Sequence, residues 1–402
     1  MIYDVKDYIS SEEDTLQTER IQSVLDMCGE NGGTVVFPSG RYKVSSLYIH
    51  SNTTVYLRAG AEIAGSDNCE DYKVFPVPEG VILYSDVTLI PQHEPDRKEK
   101  DEYRRAIFSA YNETDISIVG ENGSIIDGVD CFDANGEENF RGPHAIWFSS
   151  CRNVVLRGYT VKRAADFAHQ LDNCINVTAK NVKCSGGHDG FHLNMCRNVS
   201  ISDCLMETGD DCIAGINVTN LVVENCYLNT SCNMFRIGGK NISVKNCEMK
   251  GIGKYPHRLS LYKGDGEFLP EEQGRRNTLF VMEFFASETV PFGQSCDVSF
   301  TNCKITDADR FIHYEAKNRL ALHTGAALAE IKLENVSVEV LEGCSVVSAD
   351  EKNPLTVTVK NITVNNVENV IYPLFDGNDK NTRFFNPCKG RMNRFKGNRY
   401  FQ

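Results

Sequence analysis

The segment ETGDDCIAG (207–215) sets two carboxylates, Asp210 and Asp211, side by side. Neighbouring carboxylates repel, so one of them tends to hold its proton to a higher pH, which is how a protein makes a general acid of Asp. A third carboxylate, Asp189 in GHDGFH (187–192), precedes the pair by 21 and 22 residues. Brought together, the three have the makings of glycoside hydrolysis, in which one carboxylic acid protonates the leaving oxygen and another carboxylate activates water. The same three oxygen donors could hold calcium, as in a lyase. Paired Asp residues also occur in plain solvated turns, so the elements that position them decide.

Those elements repeat. NVVLRGYTV (153–161), NVTAKNVKC (176–184), NVSISDCLM (198–206), NLVVENCYL (220–228) and NISVKNCEM (241–249) begin 23, 22, 22 and 21 residues apart. Fainter copies are DISIVGENG from 115, DVSFTNCKI from 297, EIKLENVSV from 330 and TVTVKNITV from 356. Each alternates apolar and polar residues, bends at Asn, Asp or Gly, and resumes, as two short strands meeting at a turn do. A unit this small cannot bury its apolar side alone, and stacking on its neighbours closes a core. The spacing predicts an all-β chain, a parallel β-helix in one domain over 1–402. Asp189 and the pair, one repeat apart, then emerge from neighbouring coils about 4.8 Å apart.

The register explains other features. Cys204, Cys226, Cys247 and Cys303 share the seventh place of their repeats and are expected to stack inward as free thiols, since they have neither paired C-x₂-C spacing nor a His in register for zinc. The N-x-S/T sequons fall on turns and read as Asn ladders. An amphipathic helix over about 10–30, strongest at 12–28, is expected to cap the first coil and protect its edge. Two stretches, 91–105 and 251–295, interrupt the repeat as loop insertions, and 371–402, basic and aromatic at its end, reads as a docked tail.

The 402 residues are 41% hydrophobic and 24% charged, with a formal charge of −13. That balance argues against nucleic acid, which wants a basic face. There is no signal-like opening and no long apolar run, so a cytoplasmic protein with no membrane partner and sixteen reduced cysteines is expected. No cofactor and no metal are expected, and a homo-oligomer is possible.

The blocks RIQSVLDMCGENGGTVVFPSGRYKV, IDGVDCF, RGPHAIWFSSCRNVVLRGYTV and DFAHQLDNCINVTAKNV, followed by GDDCIA, come in the order of the polygalacturonase-like glycosidases of glycoside hydrolase family 28. The chain resembles that family over about 10–70 and 104–250, with Phe167 where a Trp is usual, and the likeness fades after 250. The resemblance implies a right-handed parallel β-helix and an inverting hydrolase of pectin-type oligosaccharides, with Asp210 as acid and Asp189 and Asp211 activating water. It departs in places. Gly187 and His188 replace the first two residues of an Asn-Thr-Asp-Gly block, and Cys232, Asn233 and Met234 stand where Gly-His-Gly is usual. The substrate-gripping Arg-Ile-Lys block aligns with HRLSL, where Arg258 survives and Ser260 replaces Lys.

His188 and His192, which flank Asp189, together with Asn233, Arg236, His257, Arg258 and Lys263, are therefore the candidate substrate-binding residues. Exo action on imported oligosaccharides suits a cytoplasmic enzyme whose insertions close one end of the groove. Two alternatives are a carbohydrate-binding β-helix without catalysis and a lyase or epimerase on the same fold.

Overall fold

A computed structural model describes residues 1–9, 15–81, 101–133, 141–264, 267–284, 296–316, 327–368, 371, 374–375, 378–387 and 390–391. One coil shows how the repeat folds. His169–Asp172, Ile175–Lys180 and Lys183–Ser185 run in succession, each paired in parallel with its counterpart in the coil before and the coil after. Three parallel sheets result, wound right-handed as parallel crossovers are.

Apolar residues of the alternation point inward and stack in register. Val154, Val177, Val199, Leu221, Ile242, Val298, Ile331 and Val357 form one such column, all buried. Each contributes roughly 1.5–3 kcal/mol by leaving water, and Leu221→Ala would cost about 2–5 kcal/mol because the flanking coils hold the cavity open.

The corners need left-handed backbone, which Asn tolerates better than other residues with a side chain. Asn153, Asn176, Asn198, Asn220 and Asn241 have φ between 55° and 60°. Each Nδ2 donates to the residue one coil back, at 2.9 Å (Asn153 to Asp115), 3.0, 3.0, 2.9 and 2.8 Å. The sequons are thus the rungs of a ladder. A second ladder joins Asn246, Asn302, Asn335 and Asn361.

Cys204, Cys226, Cys247 and Cys303 stack inward as expected, their thiols against backbone carbonyls. A second stack, Cys151, Cys174 and Cys196, holds the place two residues before the repeat starts at 153, 176 and 198, a register the sequence reading did not use. Fifteen cysteines are free; Cys388 lies outside the described residues.

Several boundaries differ from expectation. The cap helix is Thr18–Asn31 rather than 12–28, because Thr18 Oγ1 accepts from Ser45 N and pins the first turn there, and Gly32 at φ 68° ends it. Ile21, Val24, Leu25 and Cys28 face the first coil. The second insertion ends early, since Thr278–Phe284 is a strand of the stack, paired with Asn233–Lys245 and Lys304–Glu315. Its adjacent buried Val281 and Met282 break the period of two, which hid it. Thr382–Asn386, placed in the tail, is one more parallel rung. Most of 91–105, all of 285–295 and 392–402 lie outside the described residues.

Candidate active site

Three successive coils open onto one place. Asp189 precedes Phe191–Asn194, Asp210 and Asp211 precede Ile213–Glu224, and Cys232 precedes Asn233–Lys245. Side chains stitch the coils together: Asp211 N donates to Asp189 Oδ1 at 3.1 Å, and Asn233 donates to Asp211 Oδ1 from its backbone N at 3.1 Å and from Nδ2 at 2.9 Å. Thr208 Oγ1, at 2.8 Å, and Thr230 Oγ1 donate to Asp210 O and fix the turn between the two carboxylates. A Cβ at Gly209 would come within 2.6 Å of Gly187 O and 2.7 Å of Pro256 O, so only glycine fits there.

Asp189, Asp210 and Asp211 bring carboxylate oxygens within 4.8 Å of one another, and their exposures are 4%, 8% and 3%. Three buried carboxylates at that distance cannot all ionise at ordinary cost. Burial first, and then the charge of Asp210, push both Asp189 and Asp211 well above the usual carboxylate range. Burial also works against Asp210, yet the imidazoles of His188 and His257 and the guanidinium of Arg141 hold it well below that range. Arg141 Nη1 lies 3.2 Å from Asp210 Oδ2, and His257 Nε2 lies 3.6 Å from Oδ1. The sequence placed the shared proton on Asp210, whereas the hydrogen bonds of His188 and His257 and the charge of Arg141 favour its residence on the two neighbours.

His188 accepts from Arg141 at Nδ1, 3.0 Å, and burial, then the Arg141 charge, lower its pKa to about 3, so it stays neutral. Its Nε2 is buried with no hydrogen-bond partner among the described residues. His192 Nδ1 lies 2.6 Å from Asp189 Oδ2, and its ring stacks on Phe167 at 4.4 Å. Asn233 binds Asp211, and its Oδ1 is likewise buried without a partner. These three residues and His257 gather at the carboxylates as the sequence suggested.

Arg236, Arg258 and Lys263 do not sit at the carboxylates in the same way. Arg236 Nε pairs with Glu283 Oε2 at 3.3 Å, one coil further on. Arg258 lies between the rings of Phe132 and Phe268, 3.1 and 4.1 Å from their centroids. Lys263 is exposed on a small antiparallel ribbon, Tyr262–Gly264 with Glu267–Phe268. HRLSL lies in the excursion between coils, so the strand that stacks on the Asn233 coil is Thr278–Phe284, with Glu283 facing Arg236.

That excursion lies over the site. Tyr255 Oη bonds Ser185 Oγ at 2.9 Å, Ser231 Oγ donates to Tyr255 O, Lys254 Nζ pairs with Glu207 Oε2 at 2.5 Å, and His257 N donates to Arg275 O at 2.9 Å.

Sequence reading missed Arg141, Phe132 and Glu283 as neighbours of the site. The first lies in the quoted block RGPHAIWF, directly before the Gly-Pro that opens the strand His144–Ser149. An Arg at a position destined for burial was the available signal. Cys232 was noted only as a departure, and its place beside Asp210 depends on the turn before Asn233.

Residues 81–252 match the model of glycosyl hydrolases family 28. A probable polygalacturonase of Vitis vinifera is 24% identical over 218 residues, which is 50% of this chain and 41% of that protein. The chain spans less than half the length of the curated relatives it matches. Among solved structures, the family 28 exopolygalacturonase of Yersinia enterocolitica aligns with a TM-score of 0.65 at 18% identity, covering 91% of this chain and 72% of that one. The exopolygalacturonase of Thermotoga maritima aligns at 0.66 and 12%, covering 96% and 90%.

Proposed function

We propose that this chain, a polygalacturonase-like relative of glycosyl hydrolases family 28 through residues 81–252, is a glycoside hydrolase that cleaves O-glycosidic bonds in pectin-type oligosaccharides. One observation supports this above the rest: three buried carboxylates from successive coils, their oxygens within 4.8 Å, with the proton affinities of the three driven apart. Titratable groups whose environments separate their proton affinities are the acid and the base of a site.

Asp211 is the better acid in this arrangement. Its Oδ1 accepts two bonds from Asn233, so the proton belongs on Oδ2, from where it passes to the glycosidic oxygen as the C–O bond breaks. Asp210, held ionised, takes the proton of a water that attacks the anomeric carbon, with His257 Nε2 beside Oδ1 to orient that water. Asp189, bonded at both oxygens, anchors the Asp211 backbone to the coil before it. The roles implied by the resemblance, with Asp210 as acid, would first require the proton to move toward Arg141.

Inversion at the anomeric carbon is part of the proposal, and so is exo action. The excursion over the site, with Pro256 against Gly209, supports a groove closed at one end. The cations at the carboxylates and in the segments beside them are paired with acidic side chains (Arg141 with Asp210, Arg236 with Glu283, Lys254 with Glu207), which favours a substrate less charged than polygalacturonate. The fifteen free cysteines suit a reducing, cytoplasmic setting.

Pectic oligosaccharides and aryl glycosides, followed by NMR from the first turnover, test the reading. The expected first product is a terminal sugar in the inverted anomer. Retention would remove the single-displacement mechanism, early internal scission would remove exo action, and binding without turnover across the panel would leave only a carbohydrate-binding protein.

A further inference from the structure

We propose that Asp210, Cys232 and His257 form a site for a soft divalent cation, zinc above all, and that on the hydrolase reading its occupation shuts the enzyme by making Asp210 a ligand. The three side chains come from separate segments: the turn before Ile213–Glu224, the turn before Asn233–Lys245, and the excursion over the site. Each offers one donor atom, all are largely shielded from water, and the donors lie within 4.8 Å of one another. His257 Nε2 and Asp210 Oδ1 are already 3.6 Å apart. Zinc bonds of about 2.0–2.3 Å in a tetrahedron place ligand atoms roughly 3.3–3.8 Å apart, so the thiol closes the site by a side-chain adjustment of the order of 1 Å.

The donor chemistry selects the ion. Thiolate, imidazole and carboxylate together suit zinc, whereas the all-oxygen group of Asp189, Asp210 and Asp211 does not. Asp210 Oδ2 faces Arg141, so Oδ1 is the oxygen that turns to the cation. The Asp210 carboxylate and the thiolate formed at Cys232 offset the positive charge brought in. Binding replaces the Cys232 S–H bond by an S–Zn bond and releases that proton to solvent. Three protein ligands leave a fourth position for water. Occupation takes the donor atoms that the attacking water needs, so hydrolysis stops.

The full-length protein, stripped with a chelator, is titrated with Co²⁺ as a spectroscopic probe. One equivalent should give a thiolate-to-cobalt charge-transfer band with tetrahedral visible bands, bleached by Zn²⁺. Cys232→Ser should abolish the charge-transfer band, and His257→Asn should weaken Co²⁺ binding at least about 10-fold. Cys69→Ser, a control for the close Cys69 and Cys131 thiols at 3.4 Å, should leave it intact. Circular dichroism checks that each variant is folded. On an active substrate, Zn²⁺ should inhibit the wild type at about 10-fold lower concentration than Cys232→Ser, each relative to its own metal-free rate, with reversal by chelator. A band that survives Cys232→Ser, or no band at all, overturns the site. A Cys232-dependent band in an enzyme that Zn²⁺ leaves fully active overturns the inhibition. The cobalt measurement reads the site even if no substrate is turned over, so failure of the hydrolase reading is seen separately.

Discussion

Arg141 Nη1 reaches Asp210 Oδ2 at 3.2 Å across 69 residues of chain, and together with His188 and His257 this contact favours ionised Asp210, while burial sets Asp189 and Asp211 against ionisation. Arg141 also approaches Asp166 Oδ1 at 3.9 Å and donates to His188, so the guanidinium is buried among groups that fix its plane.

Arg141→Met should therefore release Asp210 to bind a proton. An opposite charge within hydrogen-bond distance lowers a carboxyl by about 1–3 pH units. The acid limb of kcat/KM should move up by at least about 1 unit, and kcat near neutrality should fall roughly 10²-fold. Arg141→Lys should restore part of the limb's position. A slower enzyme whose acid limb has not moved would mean that Arg141 merely supports the fold.

Asp211→Asn should stabilise the protein while it abolishes turnover. Asp211 is raised in the folded state, by burial first and by Asp210 and Asp189 next. Such a group contributes stability that is full below its unfolded value of about 4 and is lost as pH rises through the folded value. Asn keeps the acceptor for Asn233 and carries no charge. At neutral pH the variant should gain about 0.5–2 kcal/mol in denaturant unfolding, a gain that vanishes in acid. A gain independent of pH would show that repulsion within the triad is not its source.

The coil architecture was legible because its signal repeats: Asn176, Asn198 and Asn220 mark the same corner 22 residues apart, and each corner is a short-range event. The stack position of Asp189, Asp210 and Asp211 followed from the same period. The excursion over 253–277 has no period, so nothing in it located His257 beside Asp210, and Arg258 was matched to a motif that its place between two aromatic rings does not support. Protonation was the least legible feature. Adjacent Asp residues announce that one proton is shared, but its holder depends on His188, on His257 in the excursion and on Arg141, three coils away in the sequence.

Asn198→Ala should cost more than Asn198→Gly. The alanine variant loses the bonds to Asn176 and from Asn220 and must also hold φ 58° with a Cβ. About 0.5 kcal/mol for each exposed bond and 1 kcal/mol or more for the left-handed backbone give roughly 2 kcal/mol. Glycine adopts that backbone freely and should recover part of the loss. Equal midpoints for the two variants in urea would assign the whole effect to the ladder bonds.

Acid should weaken the fold through His169 before the carboxylates protonate. His169 Nδ1 donates to Gly190 O at 2.8 Å, Nε2 accepts from the Tyr159 hydroxyl at 3.0 Å, and the ring stacks on Phe191 at 4.1 Å. Burial first, opposed by the Gly190 bond, lowers its pKa to about 4. A lowered His contributes stability that is present above its unfolded value of about 6.5 and is lost as pH falls toward about 4, because the unfolded chain takes up the proton first. One proton over that window changes stability by about 3 kcal/mol, at 1.36 kcal/mol per unit. His169→Asn keeps a donor for Gly190 and cannot titrate, so its stability should decline less steeply between pH 6.5 and 4, whatever the substitution costs at pH 7. Equal slopes for the variant and the wild type would mean that His169 is already charged in the folded protein, against the tautomer fixed by Tyr159 and Gly190.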